Sequence, residues 1–202
     1  MTASRLQNRR IHYMLKLRQA FTGLVQGDVV YVQIRRDALR LRDVRTGKEV
    51  SDAPLMAVSR NSSRTVLAVG RTAEEEAALR RVPFEVLNGF SHPRLVIGDF
   101  AIAEKTLQYF LQQLLQPALL RAAPVLVLHP LEKFEGGLSE LEVRALQELG
   151  AGAGARQVHV WGGHELQDHE LKRQSFKRQD GLLEISNSWK GGRSNKARGR
   201  AR

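Results

Sequence analysis

One stretch constrains this chain of 202 residues more than any other, because residues 124–161 read as strand, helix, strand. Pro124 to Leu128 is a short, unbroken apolar run closed by Pro130, the pattern of a buried strand. Leu138, Leu141, Ala145, Leu146 and Leu149 then recur at helical spacing. Ser139 followed by Glu142 is a capping box, and read this way Glu142 is a helix-capping residue. Gly150 to Gly154 reads as the loop that ends the helix, and Val158 to Trp161 as a second strand. Strands joined through a helix lie parallel in one sheet, since a parallel pair needs a crossover.

The remaining chain is punctuated more finely. Val29 to Ile34 is apolar and β-branched, and Leu39 to Val44 alternates as a half-exposed strand does. Thr46-Gly47 is a turn. Pro54 to Val58 and Thr65 to Val69 read as strands joined by Asn61-Ser62-Ser63. Thr72 opens a helix with Glu75 as its capping-box partner. Leu95 to Ile97 reads as a short strand ended by Gly98 and Asp99, with Asp99 at a strand end or helix start. Ala103, Leu107, Phe110, Leu111, Leu114 and Leu115 share one helix face, and Pro117 stops that helix. No internal repeat is present.

Charge is distributed unevenly. Of the net +11, residues 1–50 contribute +7, residues 51–171 contribute −4 and residues 172–202 contribute +8. Basic ends on a mildly acidic body point to phosphates, of nucleic acid or of an anionic lipid surface. Residues 1–27 contain no acid. Met14, Leu15, Leu17 and Phe21 fall mostly at helical spacing, with Lys16 and Arg18 between them. This is a basic amphipathic helix, suited either to a membrane interface or to docking on the protein's own body. From about Lys172 the periodicity fades, and residues 171–202 read as a disordered basic tail in which Leu182, Leu183 and Ile185 form one short docking segment. Lys190, Arg193, Lys196, Arg198, Arg200 and Arg202 fit a solubilising tail or one that binds nucleic-acid backbones, with Trp189 available to stack on bases.

Several chemistries are excluded or disfavoured. With no Cys there are no disulfides, zinc-thiolate sites or cysteine nucleophile, and a reducing compartment fits. The longest clean apolar run, Ala122 to Leu128, is too short to span a bilayer, and no signal peptide is evident. Gly150, Gly152 and Gly154 do not match G-x-G-x-x-G and follow a helix where that fingerprint follows a strand. Thr46-Gly47-Lys48 lacks the upstream Gly of a phosphate loop. His164 and His169 are five apart, not the four that place two imidazoles on one helix face, so a solvated polar segment is expected there rather than a metal site. Asp180 and Glu184 read as solvated among cations.

Six segments, in order, resemble the bacterial actin MreB family. Val66 to Gly70 followed by Ala73-Glu-Glu is similar to its "VLAVGEEA". Val96 to Phe100 and then Ala103 to Phe110 resemble "VIADF…TEKMLxxF". Val125 to Pro130 resembles the "VxxCVP" strand, Leu141 to Ala145 resembles "VERRA", and Gly150 to Val158 resembles "GAGAREV". Met14 to Phe21 resembles the basic start "MLKKFRGMF". The resemblance covers about residues 14–165 and corresponds to the first half of an actin-like protein. It implies an α/β fold: a partial actin-like (RNase H-like) single domain with a mixed sheet and flanking helices, in residues 28–170. It also implies a membrane-facing N-terminal helix in residues 1–27, and cell-shape or cytoskeletal biology at the inner membrane. The implied partners are an anionic membrane surface and a full-length family member or morphogenetic complex; nucleic acid bound through the tail is the alternative.

The departures from the family bear on chemistry. Where members carry "DLGTANT", whose Asp, Gly and Thr handle metal and phosphate, this chain has Gln33 to Leu39, with Gln33 at the Asp position and Arg35 and Arg36 replacing small residues. The second phosphate loop and second domain have no counterpart. Glu142 matches the family's water-activating Glu but has no phosphate to serve. An actin-type site closes over ATP between two domains. The expectation is therefore the family fold without the ATPase, with no cofactor and no metal.

Overall fold

The computed structural model describes residues 28–115, 122–132, 137–173 and 181–183. The stretches read above as an amphipathic helix (1–27) and as most of the basic tail, with Asp180, Glu184, Ile185 and Trp189, lie outside these residues, as does Pro117.

Nine strands and four helices are present among them. In chain order they are β1 (Val29–Ile34), β2 (Leu39–Asp43), β3 (Glu49–Asp52), β4 (Leu55–Ser59), β5 (Val66–Val69), α1 (Ala73–Ala78), β6 (Phe84–Asn88), α2 (Phe100–Leu115), β7 (Val125–Pro130), α3 (Glu140–Gly152), β8 (Gln157–Trp161), α4 (Asp168–Lys172) and β9 (Leu182–Leu183). They build a six-stranded mixed sheet, ordered β3-β2-β1-β7-β8-β9, and a three-stranded antiparallel sheet, ordered β5-β4-β6. β1, β7 and β8 are parallel neighbours, with Val29 opposite Val125 and Val125 opposite Gln157. The crossover expected between β7 and β8 is α3.

Strand alternation sorts the large sheet into two unlike faces. Val30, Val32 and Ile34 of β1, Leu126 and Leu128 of β7 and Val160 of β8 join Leu107, Phe110, Leu146 and Leu149 of α2 and α3 in an aliphatic core. On the other face Tyr31, Val127 and Trp161 pack with Leu166 and Leu171 around α4. All six residues of β7 are buried, as a strand covered on both faces requires. A smaller cluster of Ala57, Ala68, Ala73 and Ala77 packs α1 onto the three-stranded sheet.

The capping box at α3 forms as the sequence predicts. The Ser139 hydroxyl accepts from the Glu142 backbone N–H at 3.3 Å, and the Glu142 carboxylate accepts from the Ser139 backbone N–H at 3.0 Å. Such a cap stabilises a helix by about 1 kcal/mol. Asp99 starts α2, its carboxylate accepting from the Ile102 N–H at 3.1 Å. Leu182 and Leu183 dock as an antiparallel edge strand on Trp161 and Val160.

Four expectations need correction. Leu95 to Ile97 is not a strand; the Arg94 and Leu95 N–H groups donate to His92 Nδ1 at 3.1 and 3.0 Å, which curls the segment into a bend. Thr72 does not cap with Glu75; its hydroxyl donates instead to the Glu76 carboxylate at 2.7 Å. The helix before β8 does not stop at Gly150 but runs to Gly152. A Cβ at Gly150 would lie 2.7 Å from Val158, so this glycine serves close packing of helix on strand, and Gly154 (φ 102°) makes the turn. Strands β3 and β6 were not anticipated: β3 is a polar edge strand, and β6 follows Pro83 with every residue only half-buried.

Candidate functional site

In open α/β sheets, ligands bind beyond the carboxyl ends of the parallel strands. Here that end is reached by Gln33 of β1, His129 of β7 and the segment following β8. Gln33 and Tyr31 point to the α4 face, because Val30, Val32 and Ile34 take the aliphatic face.

The chain fills this end with its own polar side chains. The Gln33 amide donates to the Glu165 carboxylate at 2.7 Å and accepts from Arg40 at 3.3 Å. Arg40 also grips Glu49 across the β2–β3 pair, through Nε at 2.7 Å and Nη2 at 2.8 Å. That bidentate pair holds the Glu49 carboxyl below the usual carboxylate range. The turn after β1 closes tightly, Arg35 N–H donating to the Ala38 carbonyl at 2.9 Å. The Arg36 N–H donates to Glu132 at 3.2 Å, and the Asn88 side chain donates to the Arg36 carbonyl at 2.8 Å. The turn is thereby tied both to β7 and to the three-stranded sheet.

Beneath lies a buried pair, Tyr31 and His129. The Tyr31 hydroxyl sits 2.5 Å from His129 Nδ1 and accepts from the Leu166 N–H at 3.2 Å. A neutral His129 whose ring also bonds the Gly163 backbone has Nδ1 available to accept from the Tyr31 hydroxyl. Burial drives the His129 pKa down to about 4, against a smaller opposing contribution from a backbone hydrogen bond to Gly163. Arg42 lies 5.6 Å from the Tyr31 ring centroid and pairs with Asp168 at 3.1 Å, fixing α4 over the same face.

This pair sets a pH dependence. The imidazole has an ordinary value of 6.5 in the unfolded chain and about 4 in the folded one. The unfolded chain therefore takes up the proton first. Stability is complete above about pH 6.5 and falls as the pH drops toward 4, by about 3 kcal/mol in total. Melting curves at pH 7.5 and 4.5 check this, and His129→Gln, which keeps an acceptor for Tyr31, should make the fall shallower by that amount. An unchanged slope in the variant would contradict it.

The residues singled out from sequence are not assembled into one site. Glu142 is held by Ser139, whose hydroxyl also donates to it at 2.9 Å. It lines a groove of about 310 Å³ with Leu95, Val96, Ile97, Leu141 and Ala145. Its hydrogen-bond partner is Ser139, whereas Gln33 is engaged by Glu165 and Arg40. His164 and His169 do not converge; His164 Nε2 lies 3.1 Å from Glu170, and among the described residues no group of three or more His, Asp or Glu is placed to hold a metal. Tyr31, His129 and Glu165 were missed by sequence reasoning. On β1 Tyr31 and Gln33 share one face, but their partners lie 98 and 132 residues away.

The profile of the MreB/Mbl protein family matches residues 44–164, more than half of the chain. This chain belongs to the MreB/Mbl family. The cell shape-determining protein MreB of Pasteurella multocida is 37% identical over 98 residues, 48% of this chain and 26% of that protein. The Escherichia coli protein YjaA is 33% identical over 141 residues, 65% of this chain and 84% of that protein. The chain thus spans about a quarter of the MreB relative and most of YjaA. The crystal structure of MreB 5 of Spiroplasma citri bound to AMPPNP superimposes with a TM-score of 0.51 at 18% identity, over 66% of this chain and 38% of that one. This last likeness establishes the actin-like fold. The family match begins at Val44, after the turn that holds Arg35 and Arg36.

Proposed function

We propose that this chain is a non-catalytic, single-domain member of the MreB/Mbl family that acts in cell-shape or cytoskeletal assembly, in the cytoplasm at the inner membrane surface. Residues 28–170 form the actin-like domain, residues 1–27 face the membrane, and residues 171–202 are a basic extension. The observation that carries the reading is the closed network of Gln33, Arg40, Glu49 and Glu165 at the carboxyl ends of the strands. Those side chains satisfy one another where a nucleotide's phosphates and metal would need free backbone N–H groups and an unengaged carboxylate. The Arg35-Arg36 turn supports the same conclusion, because large side chains keep backbone N–H groups from approaching a phosphate. Glu142, tied into its cap, is a vestige of the family's water-activating residue.

The acid-free, amphipathic composition of residues 1–27 supports peripheral membrane attachment, with Met14, Leu15, Leu17 and Phe21 inserted and Lys16 and Arg18 at the headgroups. No helix among the described residues is long and apolar enough to cross a membrane. The protein partner is a full-length MreB filament or a morphogenetic complex. Fractionation of cells producing the full chain tests the reading. It should sediment with the inner membrane and be released at high pH without detergent. Recovery in the soluble fraction at low salt would overturn it.

A further inference from the structure

The helix of the three-stranded sheet is covered on one side only. Ala73 and Ala77 of α1 pack on Ala57 and Ala68, whereas Glu74, Glu75, Glu76 and Ala78 and the following Leu79 are exposed. Leu79 is 82% exposed, more than any other large apolar side chain among the described residues. A spacing of four sets Leu79 on the same outer face as Glu75.

Charge along α1 is segregated by end. Glu74, Glu75 and Glu76 fill its first turn. Arg80 and Arg81 close its last, their N–H groups donating to the Ala77 and Ala78 carbonyls at 3.0 and 3.3 Å. Arg60 joins the basic end, since its N–H donates to the Pro83 carbonyl at 2.9 Å. Nearby charges neutralise one another: Arg64 holds Glu85 at 2.6 Å, and Arg71 lies 3.8 Å from Asp52. Glu74, Glu75, Arg80 and Arg81 have no ion-pair partner among the described residues. The helix dipole favours acids at the start and bases at the end, which accounts for the signs. It does not account for a bare leucine held between them.

We propose that this face of α1 is a contact between two copies of the chain, related by a twofold axis. A twofold contact needs a surface that complements itself, and α1 is such a surface. Laid antiparallel, the acidic first turn of each copy meets Arg80 and Arg81 of the other. The two Leu79 side chains lie near the axis, where Ala78 is small enough to let the helices approach. Every unpaired charge on this face then gains an opposite one, and the bare leucine is covered. Residues 72–82 are eleven a side. Standing complexes use roughly 20–30 a side, so the dimer is weak and reversible, and salt loosens it. The contact is independent of the membrane and filament reading given above.

Sedimentation equilibrium of the full chain at low salt tests this. The wild type should dimerise reversibly at high micromolar concentration. Glu74→Lys with Glu75→Lys should weaken the dimer at least tenfold, and so should Arg80→Glu with Arg81→Glu, because like charges then face each other. An equimolar mixture of the two variants should recover association, since the reversed acids of one meet the reversed bases of the other. Leu79→Ser, which changes no charge, should also weaken it tenfold. All of these positions are exposed, so each variant should melt with the wild type. A wild type that stays monomeric would overturn the proposal, as would undiminished association of either reversed pair, or correctly folded variants that fail to recover on mixing. An Arg80, Arg81 variant that still dimerises but loses anionic vesicles would assign the basic end to lipid instead.

Discussion

Replacing Leu17 and Phe21 by Asp should reduce binding to anionic vesicles by at least about a hundredfold. Burying a Leu or Phe side chain contributes about 1.5–3 kcal/mol, and each Asp removes that and adds a charge repelled by the headgroups. The domain should keep its melting temperature if the stripe serves the membrane and not the packed body. Equilibrium binding to vesicles with a parallel melting curve measures both. Unchanged binding would assign the stripe of residues 1–27 to some other surface.

Trp161→Ala should destabilise the domain by about 3–5 kcal/mol. Trp161 is 1% exposed, and its indole N–H donates to the His164 carbonyl at 2.6 Å. Two glycines are shaped around its ring: a Cβ at Gly163 or Gly181 would come within 2.7 or 2.6 Å of it. The Gly162 N–H donates to the Gly181 carbonyl at 2.7 Å, so this packing also seats the entry to β9. For a domain of this size the loss corresponds to roughly 10 °C in Tm or more. Denaturant titration of Trp161→Ala against Trp161→Phe measures it, with the Phe variant expected to retain more than half of the lost stability. Hydrogen exchange should show Leu182 and Leu183 released in the Ala variant.

What the sequence made legible follows from how local each signal is. The β7–α3–β8 unit was readable because a buried run, a capping box and a second strand lie within 38 consecutive residues. β2 was readable from its alternation, and Leu182-Leu183 stood out as an apolar island in a basic stretch. β3, with sequence Glu-Val-Ser-Asp, and β6 gave no such signal; they exist because β2 and β4 offer them backbone partners. Gly150 and Gly152 were read as a loop because glycine is a poor helix former, yet close contact with Val158 selects glycine at position 150. The closed network at the strand ends was the least legible part. Departure from the family pattern at Gln33, Arg35 and Arg36 marked the place, but the partner Glu165 is supplied from far along the chain. Only the fold brings Gln33, Arg40 and Glu165 together.

The most direct test of an actin-like domain whose nucleotide end is filled by its own side chains is thermal unfolding of the full chain with and without millimolar Mg-ATP. A ligand present at 100 times its Kd stabilises the folded state by about 2.7 kcal/mol, several degrees for a domain of this size. The closed Gln33–Glu165–Arg40 network predicts no shift at any nucleotide concentration up to that level. A saturable rise in Tm, abolished by Glu142→Gln or by removing magnesium, would contradict it.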